Sequence, residues 1–139
     1  LLTSTPTVKD HSRIEIEYER SDQRRFYVPC PKCGEMQWLK WSQVKWEDND
    51  PKTAVYECEK CKERFPELHK PAMLRAGEWR ATAPGDGRTR GYQLSGLYSP
   101  LGWFSWSDMV EEFLKAKSDP RKNLFIVNTE LEKKRKKLF

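Results

Sequence analysis

The chain has 139 residues and a formal charge of +5, with 37% hydrophobic and 34% charged residues, the balance of one soluble folded unit rather than a disordered tail. No apolar run approaches the roughly 20 residues that cross a bilayer, which excludes a transmembrane helix. Setting aside the basic tail Lys133, Lys134, Arg135, Lys136 and Lys137 leaves 21 of the 26 Lys and Arg, equal to the 21 Asp and Glu, so the charge describes a tail and not a basic domain.

Leu1-Leu2-Thr3-Ser4-Thr5-Pro6-Thr7 carries two apolar residues straight into a Ser/Thr/Pro turn, as at the end of a buried strand. Such a beginning reads as a piece excised from a larger multidomain protein, with segment 1–23 as the strand, turn and helix that finish a preceding domain. Residues 8–22 offer two patterns. Ile14, Ile16 and Tyr18 alternate as in a strand, whereas Ser12-x-x-Glu15 is a capping box; a short helix is the favoured reading.

Segment 24–65 holds all four cysteines. Phe26 and Val28 alternate before Cys30, and Val55 and Tyr56 lead to Cys58, so strands feed two turns. Trp38, Trp41 and Trp46 lie between and are expected to cover a small sheet, while Glu47-Asp48-Asn49-Asp50-Pro51 signals a turn. Segment 66–100 opens with an expected helix over 68–76, with Pro71 near its start and Gly77 stopping it in a left-handed conformation. Pro84-Gly85-Asp86-Gly87 turns the chain between a strand around Trp79 and another over 91–97 that includes Tyr92, Leu94 and Leu97. Segment 101–139 has the clearest helical pattern: Ser105-x-x-Asp108 caps it, and Trp106, Met109, Val110, Phe113 and Leu114 form one apolar stripe. Asp119-Pro120 ends it and opens a further helix with Leu124, Phe125, Asn128 and Leu131 on its stripe. The expected class is α+β, a small antiparallel four-cysteine zinc ribbon flanked by helices.

Cys30-Pro-Lys-Cys33 and Cys58-Glu-Lys-Cys61 give two C-x2-C pairs across a 24-residue gap. Each pair forms a tight knuckle whose sulfurs converge, and two knuckles supply four thiolates for a tetrahedral zinc ion. Disulfides would need an oxidising compartment that nothing in the sequence indicates, and a redox C-x-x-C works singly. Four cysteines leave no coordination position open, so the zinc is expected to be structural. The gap is longer than usual, and the turn at 48–51 is expected to absorb the excess as a longer loop. Gly34 suits the positive φ that follows a knuckle, but Lys62 stands at the matching place, so the second knuckle is expected to be less regular.

Arg24, Arg25, Lys32, Lys60 and Lys62 lie on or near the knuckles and are candidates for phosphate contact, set against the plainer reading that Glu57, Glu59 and Glu63 neutralise an exposed basic surface. The six Trp suit core packing better than base stacking. His11 and His69 stand singly, Glu111 and Glu112 fit the polar face of a helix, and no phosphate loop, G-x-S-x-G or H-E-x-x-H motif occurs, so no catalytic set is assembled within this chain.

Taken in order, Ser4-Thr5-Pro6-Thr7, the run from Ser21 through Arg24-Arg25-Phe26-Tyr27-Val28-Pro29-Cys30-Pro31-Lys32-Cys33-Gly34, then Gly77-Glu78-Trp79, Leu97-Tyr98-Ser99-Pro100 and Asn128-Thr129 resemble the large terminase subunit family of tailed bacteriophages, in its lambda-like group. The resemblance implies a parent that packages viral double-stranded DNA in the cytoplasm of the bacterial host, with an ATPase motor that uses ATP and Mg2+ and a nuclease beyond it. It implies that Ser4, Thr5, Pro6 and Thr7 are the motor's coupling motif, and that Cys30, Cys33, Cys58 and Cys61 belong to its zinc-finger-like insertion. The small terminase subunit and the portal protein are the implied protein partners. After Thr129 the charged end departs from the family pattern. A free-standing zinc-ribbon nucleic-acid binder and a protein-docking module are the other readings open to the sequence.

Overall fold

A computed structural model describes residues 1–4 and 12–119. The fold is α+β, as expected, with two small sheets and three α-helices among the described residues. Helix α1, Arg13–Arg20, forms where the helix was favoured over the strand. Its capping box does not form: the Ser12 side chain makes no cap hydrogen bond, the Ser12 carbonyl instead accepts from the Glu15 and Ile16 N–H groups, and Glu15 is buried. Ser21, wholly buried, ends the helix by donating its hydroxyl to the Tyr18 carbonyl at 2.6 Å.

Strand β1, Arg24–Pro29, is the hub of the first sheet. It pairs antiparallel with β2, Met36–Trp38, and with β6, Glu78–Arg80, and parallel with β7, Tyr92–Gln93. Because Tyr27 faces both Trp38 and Glu78 while Arg25 faces both Arg80 and Gln93, β2 and β7 share one edge of β1 and β6 takes the other. The sheet therefore draws strands from both sides of Phe65. The second sheet is an antiparallel meander of β3, Val44–Glu47, β4, Asp50–Glu57, and β5, Arg64–Phe65.

Several expectations need correction. The expected loop at 48–51 is a two-residue hairpin turn in which Asp48 and Asn49 both take positive φ (52° and 54°), so the long gap between knuckles is filled by β2, a 3-10 turn and the β3–β4 hairpin. Residues 67–69 are 3-10, and α2 is the shorter Lys70–Arg75. Gly77 is not left-handed. What it needs is room: a Cβ there would lie 2.5 Å from the Phe26 ring and 2.9 Å from the Tyr27 carbonyl oxygen. The strand expected over 91–97 is cut to two residues, with Leu97 wholly buried in a 3-10 turn. Trp38 lies within the first sheet and Trp46 within the second, where Trp46 and Trp41 pack on Phe113. The further helix expected after Pro120 and the basic tail lie outside the described residues.

Helix α3, Trp106–Ser118, is the expected amphipathic helix, and its capping box is complete: the Ser105 hydroxyl accepts from the Asp108 N–H, and the Asp108 carboxylate accepts from the Ser105 N–H. Trp106, Met109 and Val110 are buried along its inner stripe against β4. Trp106 ties the core together. Its ring meets Tyr56 and Phe65, its indole N–H donates to the Leu97 carbonyl at 3.1 Å, and its backbone N–H donates to the Glu67 carboxylate at 3.1 Å. Glu67 also pairs with Lys70, whose fully buried ammonium lies over the Trp106 ring, so that charge enters the core neutralised. Tyr98 joins the halves of the fold by donating its hydroxyl to the Phe26 carbonyl at 2.6 Å and accepting the Leu39 N–H at 2.8 Å.

Candidate metal centre

Cys30 follows β1, Cys33 precedes β2, and Cys58 and Cys61 bracket the turn between β4 and β5, so the two knuckles sit at strand ends that face one another across the two sheets. The knuckles are built alike. Cys30 N–H donates to the Glu35 carbonyl at 2.9 Å and Cys58 N–H to the Glu63 carbonyl at 3.0 Å; Gly34 N–H returns to Cys30 at 3.0 Å and Lys62 N–H to Cys58 at 3.2 Å. The third residue of each, Lys32 and Lys60, aims its N–H at the leading sulfur from 3.4 Å. Lys62 adopts a φ of 62°, matching 76° at Gly34, so the second knuckle is regular, contrary to expectation, at the cost of a left-handed lysine.

The four Sγ atoms all lie within 4.8 Å of one another, with Cys30–Cys61 at 3.8 Å and Cys33–Cys58 at 3.7 Å. Four sulfurs about 2.3 Å from a common centre form a tetrahedron with an edge of about 3.8 Å. Both cross-knuckle distances meet that value, and the donor set, four thiolates and no oxygen, suits zinc or another soft divalent ion.

The electrostatics fit the same group. Burial raises the Cys30 thiol. At Cys58 burial also opposes ionisation, but the Cys61 N–H, the Gln37 amide and the Lys60 N–H outweigh it and bring the thiol down to about 6. Cys61 receives the Glu63 N–H and is nonetheless pushed up to about 12, by desolvation and by the facing sulfurs of Cys58, Cys33 and Cys30. One thiolate forms readily and opposes the rest; a divalent cation at their centre removes that opposition.

Gln37 completes the centre and is not recognisable from the sequence. It is buried on β2 opposite the fully buried Val28, donates its amide to Cys58 Sγ at 3.3 Å and accepts the Glu59 N–H at 3.1 Å. A side chain that follows the first knuckle thus holds the second, as the outer partners of metal ligands do. Two ion pairs clamp the same region, Lys40 with Glu59 at 2.6 Å and Lys60 with Glu35 at 3.1 Å.

The candidate phosphate contacts stand in different local surroundings. Arg24 pairs with Asp22 at 2.7 Å and lies over Tyr92; Lys60 pairs with Glu35; Lys32 and Lys62 are exposed on separate knuckles. Arg25 lies over the rings of Tyr18 and Trp38. Ser4 is exposed and extended, while Thr5, Pro6 and Thr7 lie outside the described residues. No described helix is long and apolar enough to cross a membrane.

Comparison with known proteins gives a consistent result. Residues 1–79 match the family described as phage terminase large subunit gpA, ATPase domain. The chain is 33% identical over 151 residues to the terminase large subunit of Enterobacteria phage P21, and 31% identical over 153 residues to that of Escherichia phage lambda. Each alignment covers 92% of this chain and 23% of the relative, so the chain spans under a quarter of the length of these relatives. No solved structure gives a significant match.

Proposed function

Since the chain belongs to the phage terminase large subunit family, we propose that its four-cysteine ribbon is a structural zinc connector in a DNA-packaging protein, placed after the ATP-binding core of the motor and before most of the nuclease. The parent would hydrolyse ATP with Mg2+, act on double-stranded viral DNA in the host cytoplasm, and assemble with a small terminase subunit and a portal protein. In this reading Ser4, Thr5, Pro6 and Thr7 form the coupling motif that leads from the motor into the ribbon, and neither active site is complete within this chain.

The observation that carries the structural role is the closed set of four sulfurs, 3.7 and 3.8 Å apart across the knuckles. A full protein ligand set leaves no position for a reacting water, whereas catalytic zinc keeps one. Cys30, Cys33, Cys58 and Cys61 would hold the ion, and Gln37 would fix the orientation of Cys58. Zinc bound in such sites contributes on the order of 10 kcal/mol to folding, which is the scale needed to secure short strands of two to eight residues. Purified in reducing buffer, the chain should carry one zinc per molecule by native mass spectrometry and lose its near-ultraviolet circular dichroism on chelation. A chain that is folded without metal, or that turns over ATP alone, would refute the reading.

A further inference from the structure

The solvent side of the first sheet carries a pattern that the metal centre does not explain. Directly paired residues share a face, so Arg25, Tyr27, Trp38 and Arg80 stand on one side of β1, β2 and β6, opposite the side on which Phe26 and Val28 enter the core. Arg25 and Arg80 are cross-strand partners. Like charges directly opposite one another on a sheet are destabilising, and nothing in the packing of this face requires two arginines there.

Each cation on this face is steered by an aromatic ring. Arg25 lies 5.9 Å from the Tyr18 ring centroid and 5.7 Å from that of Trp38, Arg80 lies 5.1 Å from Tyr27, and Lys40 extends the row at 3.9 Å from Trp38. Tyr27 and Trp38 in turn meet edge to face. Arg80 has Glu78 and Lys40 has Glu59 as carboxylate partners, but among the described residues no carboxylate lies within ion-pair distance of Arg25. The result is a row of three held cations with an unmatched charge at its centre.

We propose that this face, centred on the Arg25–Arg80 pair with Lys40 beside it, binds the phosphate backbone of duplex DNA. An anion between the two guanidiniums would turn their repulsion into a shared attraction, and guanidinium N–H groups match phosphate oxygens in geometry. Rings whose faces are already engaged by cations are poor platforms for bases, so the chemistry favours the backbone of a duplex over the stacked bases of a single strand. The face differs from the basic knuckle residues, because Lys60 is matched by Glu35, and Lys32 and Lys62 lack ring support among the contacts of the described residues. The inference takes the polyanion from the proposed function. Zinc binding without this DNA contact would overturn the inference and leave the connector reading standing.

The test is salt-dependent binding of the zinc-loaded 139-residue chain to a fluorescent duplex, with wild type and variants sharing the same basic tail. Arg25→Ala with Arg80→Ala should weaken binding roughly tenfold or more at low salt and lower the slope of log K against log salt by about 1.8, the change for two phosphate contacts. Arg25→Lys with Arg80→Lys keeps the charge and should keep most of the slope, which decides the matter if the alanine pair disturbs zinc content. Arg64→Ala is the control: Arg64 lies on the other sheet, paired with Glu57 at 3.1 Å and Glu47 at 3.8 Å, and should leave binding unchanged. Unaltered affinity in the zinc-replete alanine pair, an equal loss in Arg64→Ala, a slope lost in the lysine pair, or tighter binding to a single strand than to the duplex would each overturn the proposal.

Discussion

Replacing Gln37 with alanine removes a side chain that touches both the Cys58 sulfur and the Glu59 backbone N–H of the same knuckle. Two effects follow. The Cys58 thiolate loses a charge-assisted donor, worth about 1.5–3 kcal/mol, and the Glu59 N–H loses its acceptor, at about 1–3 kcal/mol for a group that stays buried. Glu59 is half-buried, so water can replace part of the second loss, and a total of about 2–3 kcal/mol is the reasonable figure. At 1.4 kcal/mol per factor of ten this is roughly a 30- to 100-fold loss of metal affinity, within the range found for outer partners of metal ligands. Competition for zinc against a chromophoric chelator measures it, and the thiolate-to-cobalt charge-transfer band of the cobalt-substituted chain shows whether four sulfurs still bind. Gln37→Glu should do more harm, by setting a carboxylate against the thiolates. If Gln37→Ala holds zinc as tightly as the wild type, with its sulfur ligation intact, the bridging role assigned to Gln37 is wrong.

The matched knuckles predict opposite effects at matched positions: Lys62→Gly should stabilise and Gly34→Ala destabilise, each by about 1 kcal/mol, because both residues are left-handed and Gly34 has open space around it. Chemical denaturation of the zinc-loaded chain reads both, and shifts of the same sign would refute the equivalence. Tyr98→Phe leaves the Phe26 carbonyl and the Leu39 N–H without their shared hydroxyl and should cost about 1–3 kcal/mol, visible as a lower Tm; an unchanged Tm would show that these groups find other partners. Asp86 is held down to about 2 by the Thr89 and Arg88 N–H groups and the Thr89 hydroxyl. Because this folded value is depressed, the turn's contribution is present above the ordinary carboxylate value of about 4 and fades as pH falls through about 2. The amide shifts of Arg88 and Thr89 should accordingly move near pH 2, and a midpoint near 4 would remove the carboxylate from the turn.

What could be read from the sequence was what local chemistry fixes. The cysteine spacing announces two knuckles whatever surrounds them, and the Ser105–Asp108 box with a 3.6-residue stripe specifies α3 without reference to the rest of the chain. The failures were tertiary. Ser12 and Glu15 have the letters of a capping box, but the Ser12 side chain makes no cap hydrogen bond and Glu15 is drawn into a buried position. Gly77 has the letter of a helix stop, whereas its demand is set by Phe26, distant in sequence. Gln37 looks like any polar residue of a short strand until the β1–β2 register turns it inward beside Val28. At Lys62 propensity argued against the left-handed turn, and the repeated knuckle geometry prevailed.

Strand β1 has a bearing on the order in which the chain acquires its shape. The β3–β4 hairpin closes over a two-residue turn and is a local event, open to a nascent chain as soon as Glu57 has been made. The edges of β1 are different: β2 is near in sequence, but β6 and β7 arrive only with Arg80 and Gln93. Until then a strand of Arg-Arg-Phe-Tyr-Val-Pro has one edge largely unpaired, the kind of template that recruits foreign strands. A gene fragment trimmed to the cysteine-bearing segment alone would keep every metal ligand and still present that edge. For expression, the smallest well-behaved unit is therefore set by the last partner of β1 and by α3 over the core, not by the last cysteine.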